Sequence, residues 1–163
     1  MKNIKAIALD VDGVLTDGGV WWGPDGQEWK RFCFADIMGV SLARKAGLIV
    51  ALISGEDSPL VDRFASKLGI VDVVKNCKDK AHALEAMAAG WGIPLSQTAF
   101  MGDDVNDLGA MAIVGLSAAP AGAEERVRQT ATLVAKRRGG DGAVREVIDS
   151  LLSARDLARG TAS

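Results

Sequence analysis

The stretch Ile4 to Thr16, IKAIALDVDGVLT, constrains what this chain can fold into more than any other. The apolar run Ile4 to Leu9 ends in two aspartates one residue apart, Asp10 and Asp12, followed by Gly13 and a polar turn containing Thr16 and Asp17. A short apolar run bounded by turn residues reads as a strand buried on both faces. Such strands form parallel sheets, and open α/β sheets bind ligands at the carboxyl ends of their strands. Two carboxylates at such an end are costly unless something cationic neutralises them. A magnesium ion would do so, because hard cations prefer oxygen ligands. Asp10 is placed to attack phosphorus as a nucleophile. Asp12 reaches the same side and can act as acid toward a leaving group and as base toward water. Gly13 lets the backbone turn closely around a phosphate. Taken alone, the pair competes with a plainer reading, a strand that ends in a solvated turn.

The remaining elements strengthen the catalytic reading. After Asp17-Gly18-Gly19 the order Val20-Trp21-Trp22, Gly23-Pro24-Asp25-Gly26 and Gln27 to Phe34 predicts a β-hairpin over about 18–34. A hairpin this small cannot bury Trp21, Trp22 and Trp29 by itself, so another surface, such as a second subunit, is expected to cover them. Helices are predicted over Asp36–Lys45 with Asp36 as N-cap, Pro59–Leu68, Asp79–Trp91, Asn106–Met111, Ala123–Gln129 and from Gly142 onward. Between them lie strands at Leu48–Ile53, Ile70–Val74, Thr98–Met101, Ile113–Leu116 and Thr132–Val134. The expected fold is therefore α/β, a Rossmann-like, doubly wound parallel sheet with helices on both faces, an inserted hairpin and no cap domain. One domain is expected over 1–163, with a small-residue tail from about 156.

Composition narrows the partners. A net charge of −2 spread over 163 residues gives no footprint for nucleic acid. No apolar run has transmembrane length and no signal peptide precedes the first strand, so a cytoplasmic protein without membrane contact is expected. Cys33 and Cys77 lack metal-ligand spacing and read as reduced thiols. His82 is the sole histidine, which excludes mechanisms built on a histidine pair or triad.

Three strand ends carry the right groups: Asp10 and Asp12 on the first, Ser54 and Gly55 on the second, Asp103, Asp104 and then Asp107 after the Thr98–Met101 strand. Lys80, at a helix start, adds a cation near the same edge. Phosphoryl transfer needs a nucleophile, charge neutralisation and donors around the equatorial oxygens. Each piece alone is weak; the ordered set is specific.

In this set the chain resembles the haloacid dehalogenase superfamily of phosphatases. The segments DVDGVLTDG, GQEWKRF, GDDVNDLGAM, VGLSAA and GGDGAVREV resemble its small capless subfamily, which acts on 3-deoxy-2-keto sugar acid phosphates. The resemblance implies Asp10 as nucleophile and magnesium ligand, and Asp12 as acid/base giving its backbone carbonyl to the metal. It implies Asp103 as the third metal ligand, with Asp104 and Asp107 orienting metal waters or Lys80. Ser54, Gly55 and Lys80 would bind the phosphoryl group. It further implies a homotetramer in which the hairpin completes a neighbour's site.

The chain departs from the eight-carbon branch of that subfamily at Glu56, where an arginine is usual. Glu56 and Lys67 resemble the branch acting on nine-carbon sugar acids. The favoured expectation is thus a nine-carbon substrate, a KDN or N-acylneuraminate 9-phosphate, with KDO 8-phosphate as the alternative. Asp36, Glu56, Lys67, Arg137 and Arg138 are the candidate substrate contacts, the two arginines possibilities from a neighbour. Two other classes compete. A phospho-accepting receiver would carry its acceptor aspartate after the third strand, where Lys75-Asn76 stands. A non-catalytic oligomeric regulatory domain would not need the full acidic set.

Overall fold

A computed structural model describes Met1 and residues 3–160, with side chains described as far as Leu157. Eight strands and six α-helices follow in the order β1 (Ala6–Leu9), β2 (Trp21–Trp22), β3 (Glu28–Trp29), α1 (Phe34–Lys45), β4 (Ile49–Ile53), α2 (Pro59–Leu68), β5 (Asp72–Val74), α3 (Lys80–Trp91), β6 (Thr98–Met101), α4 (Leu108–Ile113), β7 (Leu116–Ala119), α5 (Glu125–Thr130), β8 (Leu133–Val134) and α6 (Ala143–Gly160). Six strands form one parallel sheet in the order β5-β4-β1-β6-β7-β8. The Rossmann-like α/β expectation holds.

Alternation along the strands builds two cores. Ile7 and Leu9 of β1, with Val50 and Leu52 of β4, pack against Val40 of α1, Val61 and Phe64 of α2, and Val147 and Ile148 of α6. Ala8, Ala51, Ile53 and Phe100 face the other way, toward Leu84 of α3, Met111 of α4 and Val127 of α5. The chain runs outward from β1 to β4 and β5, then returns to β6 on β1's other side. That reversal leaves a crevice at the carboxyl ends of β1, β4 and β6, where such sheets bind ligands.

Local chemistry sets the helix starts. The Ser58 hydroxyl accepts from the Leu60 N–H at 3.4 Å ahead of Pro59, and Asp79 accepts from the His82 N–H at 3.0 Å. The Asp79 cap puts Lys80 first in α3, at the crevice.

Two expectations need correction. The strand expected at Ile113–Leu116 lies at Leu116–Ala119, and Ile113 ends α4 instead. The strand is LSAA, three of its residues small and all four buried, so packing between sheet neighbours decides it rather than β propensity. Asp36 does not cap α1, which begins at Phe34 with Cys33 at the N-cap position. Its buried carboxylate instead accepts from the Gly142 N–H at 3.1 Å and the Arg145 N–H at 2.9 Å, at the start of α6. Those amides have no partner within their own helix. We expect Asp36→Ala to cost about 1–2 kcal/mol of stability, as loss of an N-cap does, measured by urea denaturation.

The hairpin β2–β3 pairs Trp21 with Trp29 and Trp22 with Glu28. Its turn is closed by the Gly23 N–H donating to Gln27 at 2.8 Å. Trp21, Trp22 and Trp29 are 68, 74 and 50% exposed.

Candidate active site

Asp10 is the first residue beyond β1, and its N–H donates to the Met101 carbonyl at 3.0 Å, which holds it beside the end of β6. Lys80 Nζ sits between two carboxylates, 2.8 Å from Asp10 Oδ1 and 2.6 Å from Asp107 Oδ1. Lys80 and Asp107 are almost fully buried, as charged side chains are only when paired. The other Asp107 oxygen accepts the backbone N–H of Asp103 at 2.8 Å and of Asp104 at 3.2 Å. Asp107 thereby orients Lys80 and shapes the loop that presents Asp103. A Cβ at Gly102 would overlap the Asp107 side chain, so the glycine is required for this approach.

Carboxylate oxygens of Asp10, Asp103 and Asp107 lie within 4.8 Å of one another. Burial, and after it repulsion from Asp107, pushes Asp10 up to about 6 in spite of Lys80. Burial, followed by repulsion from Asp10 and Asp107, pushes Asp103 up to about 8. One lysine does not balance this much negative charge. Asp107 spends both oxygens on Lys80 and the loop amides, so Asp10 and Asp103 remain as donors. An all-oxygen, electron-rich pair of this kind fits a magnesium ion.

Asp12 lies half-buried on the turn after β1. Lys30 Nζ, just beyond β3, approaches its Oδ2 to 3.0 Å, and the Thr16 hydroxyl donates to its Oδ1 at 3.4 Å. Thr16 Oγ1 also accepts from the Gly13 and Gly18 N–H groups, at 3.2 Å each, folding the loop around one hydroxyl. Gly13 has φ of +80°, and a Cβ there would overlap the Asp103 carboxylate.

These groups line a cleft of about 260 Å3 bounded by Asp10, Asp12, Gly13, Lys80, Asp103 and Asp104, with Gly18, Gly55, Glu56 and Asn106 completing its wall. The expected set from three strand ends is therefore brought together. Ser54 lies just beneath the wall, 1% exposed, its hydroxyl accepting the Glu56 N–H at 3.1 Å. Glu56 is exposed at the mouth. Asn106 and Gly18 escaped the sequence reading, although Asn106 stands inside the GDDVND segment that carried it.

The other candidates lie elsewhere on the chain. Lys67 borders a separate depression with Lys30, Phe32, Leu60, Arg63 and Phe64. Arg137 lines a groove beside the start of α6, and Arg138 a depression with Asp17 and Trp21. The glycines after them pack behind the site: the Gly140 N–H donates to the Val14 carbonyl at 3.1 Å. Asp36 is spent on α6, as described. Cys33 and Cys77 are free thiols. Among the described residues no helix is long and apolar enough to cross a membrane.

The fold and this acidic edge define a class. Residues 45–148 match the model of the haloacid dehalogenase-like hydrolases, and the chain belongs to that family. Its likeness extends over nearly its whole length to phosphatases, which makes it a phosphoric monoester hydrolase. A 3-deoxy-D-manno-octulosonate 8-phosphate phosphatase of Yersinia pestis is 37% identical over 158 residues, covering 97% of this chain and 84% of the relative. The crystal structure of a phosphatase of that name from Moraxella catarrhalis, in complex with magnesium, phosphate and KDO, superposes with a TM-score of 0.92 at 36% identity, covering 99% of this chain and 95% of that one. The cobalt-bound form of the Haemophilus influenzae phosphatase gives a TM-score of 0.92 at 37% identity, over 95% of this chain and 91% of that one.

Proposed function

We propose that this enzyme hydrolyses a 3-deoxy-2-keto sugar acid phosphate, with the eight-carbon KDO 8-phosphate as preferred substrate. The observation that carries the reading is the placement of Asp10 beside both Lys80 and Asp103 in one cleft, with Asp12 on the adjoining wall. The earlier preference for a nine-carbon substrate gives way, because relatives named for the eight-carbon ester match almost end to end.

The chemistry follows from this chain's own groups. An Asp10 carboxylate oxygen attacks phosphorus, and the bond from phosphorus to the sugar oxygen breaks. Asp12 delivers a proton to that departing oxygen. Water then attacks the aspartyl-phosphate, Asp12 takes up its proton, and the bond from phosphorus to Asp10 breaks, releasing inorganic phosphate and restoring both aspartates. Lys80, the Ser54 hydroxyl and the Gly55 N–H hold the phosphoryl oxygens, while Asp107 keeps Lys80 oriented. Asp10, Asp103 and the Asp12 carbonyl would hold magnesium, which when bound neutralises charge on the phosphoryl group.

The test is phosphate release with magnesium from KDO 8-phosphate, KDN 9-phosphate and N-acetylneuraminate 9-phosphate, compared as kcat/KM. We expect the eight-carbon ester to lead. A lead for either nine-carbon ester would overturn that preference and make Glu56, at the mouth, the reader of the longer sugar. The exposed indoles of Trp21, Trp22 and Trp29 support a homotetramer in which the hairpin covers a neighbour's open cleft, and since Lys67, Arg137 and Arg138 lie outside this chain's own cleft, only that assembly would bring them to substrate. Sedimentation velocity is expected to give a tetramer; a monomer at micromolar concentration would remove this element. The two free thiols suit a reducing, cytoplasmic setting.

A further inference from the structure

The hairpin exposes three tryptophans yet buries a lysine. The Lys30 side chain is only 5% exposed, although it follows directly on β3. Its ammonium group meets Asp12 Oδ2 at 3.0 Å and Glu28 Oε1 at 3.4 Å. The residue also borders the depression formed with Phe32, Ile37, Leu60 and Phe64. Glu28 is anchored in turn: its Oε1 accepts from the Ser58 hydroxyl and its Oε2 from Trp22 Nε1, both at 3.2 Å. Ser58 caps α2, which packs on the sheet through Val61 and Phe64. A continuous polar chain thus runs from the first turn of α2, through the hairpin, to the carboxylate that handles the proton.

We infer that Lys30 is a positioning residue for Asp12, holding one carboxylate oxygen so that the other meets the attacking water in the hydrolysis of the aspartyl-phosphate. This rests on the phosphatase reading above, but not on the identity of the sugar. A salt bridge on an exposed surface would contribute little. Here the lysine side chain is 5% exposed and its ammonium meets two carboxylates, one of them itself tied to Ser58 and Trp22, so its direction is set by the fold. Removing it leaves Asp12 with only the long contact to Thr16. Asp10, Asp103, Lys80 and Ser54 are untouched, so formation of the aspartyl-phosphate from an ester with a good leaving group should survive.

The test uses p-nitrophenyl phosphate, whose leaving group departs without being protonated. kcat/KM then reports formation of the aspartyl-phosphate, and kcat reports its hydrolysis when that step is slow. For Lys30→Met we expect kcat to fall by about tenfold or more, a part of what general base catalysis supplies. KM should fall in step, leaving kcat/KM within about twofold, and rapid mixing should show a burst of nitrophenolate. Lys30→Arg should recover most of kcat. A parallel fall in kcat/KM would overturn the assignment, since it would make Lys30 a substrate-binding or folding residue, and so would kinetics unchanged from the parent. Glu28→Ala, which removes the second anchor, should show the same pattern to a smaller degree and serves if Lys30→Met does not fold. A parent enzyme that cleaves neither this ester nor the sugar acid esters would overturn the phosphatase reading and this inference together. A parent that cleaves p-nitrophenyl phosphate but no sugar acid ester would overturn only the substrate assignment.

Discussion

Asp10→Asn is expected to abolish turnover while leaving the fold as stable as before, or more so. The two effects share one cause. Asp10 is buried against Asp107 and Asp103, and that environment disfavours its charge, which is why its carboxyl is pushed up to about 6. Asparagine removes the charge and keeps an oxygen that can accept from Lys80, so the acidic cluster relaxes. The amide is no nucleophile toward phosphorus, and no other side chain in the cleft stands in its place. Loss of the nucleophile of a serine protease costs about six decades in rate, so we expect less than roughly a thousandth of parent activity here. At 1.36 kcal/mol per decade, three decades correspond to about 4 kcal/mol of transition-state stabilisation. Phosphate release and thermal melting on the same preparations check both halves. Substantial residual turnover in folded Asp10→Asn would remove the nucleophile assignment. A marked drop in melting temperature would show that the ion pair outweighs the repulsion.

Lys80→Met is expected to cost both stability and activity. Lys80 is 2% exposed and its ammonium touches two carboxylates, at 2.8 and 2.6 Å. Methionine fits the space but leaves Asp10 and Asp107 facing each other without a cation. Breaking a buried pair from one side costs about 3–5 kcal/mol, chiefly the penalty of the stranded charge. Asp107 also loses the partner that directs one of its oxygens, and with it some of its hold on the Asp103 and Asp104 amides. Urea denaturation would measure the loss. The loss should shrink in Asp10→Asn/Lys80→Met, because one of the stranded charges is then gone; the two changes are in contact and are not expected to add. A Lys80→Met protein as stable as the parent would mean that the carboxylates take up protons or relax without cost. Activity should fall in either case, since the cleft loses the one cation its wall contributes among the described residues.

These outcomes bear on why such a cluster exists. Three carboxylates and a buried lysine at the ends of β1 and β6 and the start of α3 are a poor way to stabilise a fold. Active sites commonly carry such a cost, met by the surrounding packing. Here that packing is the interior of β1, β4 and β6, in which every residue but Thr98 is apolar and every residue but Ile49 is buried.

Much of this was legible along the chain. Period and turn residues marked the first, second and fourth strands of the parallel sheet, and α2 ran from Pro59 to Leu68 as its proline and glycine implied. The cleft residues Asp10, Asp12, Gly55, Lys80, Asp103 and Asp104 lie at element ends, and element ends are what local sequence signals most directly. The right-handed crossover rule then brings those ends to one edge without further information. The strand at Leu116–Ala119 is poorly marked in the sequence because three of its four residues are small and carry little local preference, and their burial between β6 and β8 is a property of the assembled sheet.

Sequence by itself determined the chemistry at the sheet edge: which carboxylates, which lysine, and in which order. Tertiary structure alone decided what those groups face. Asp36 looked like the cap of its own helix, and only the packing of α1 on α6 aimed it at amides 106 and 109 positions away. Lys67 looked like a reader of the sugar, and the direction of its face on α2 sent it to another depression of the chain. Nothing beside Lys30 in the sequence marks it, yet the fold sets its ammonium against Asp12. Local backbone preference is written in neighbouring residues, but the partner of a charge is chosen by which elements pack together, and that choice belongs to the whole chain.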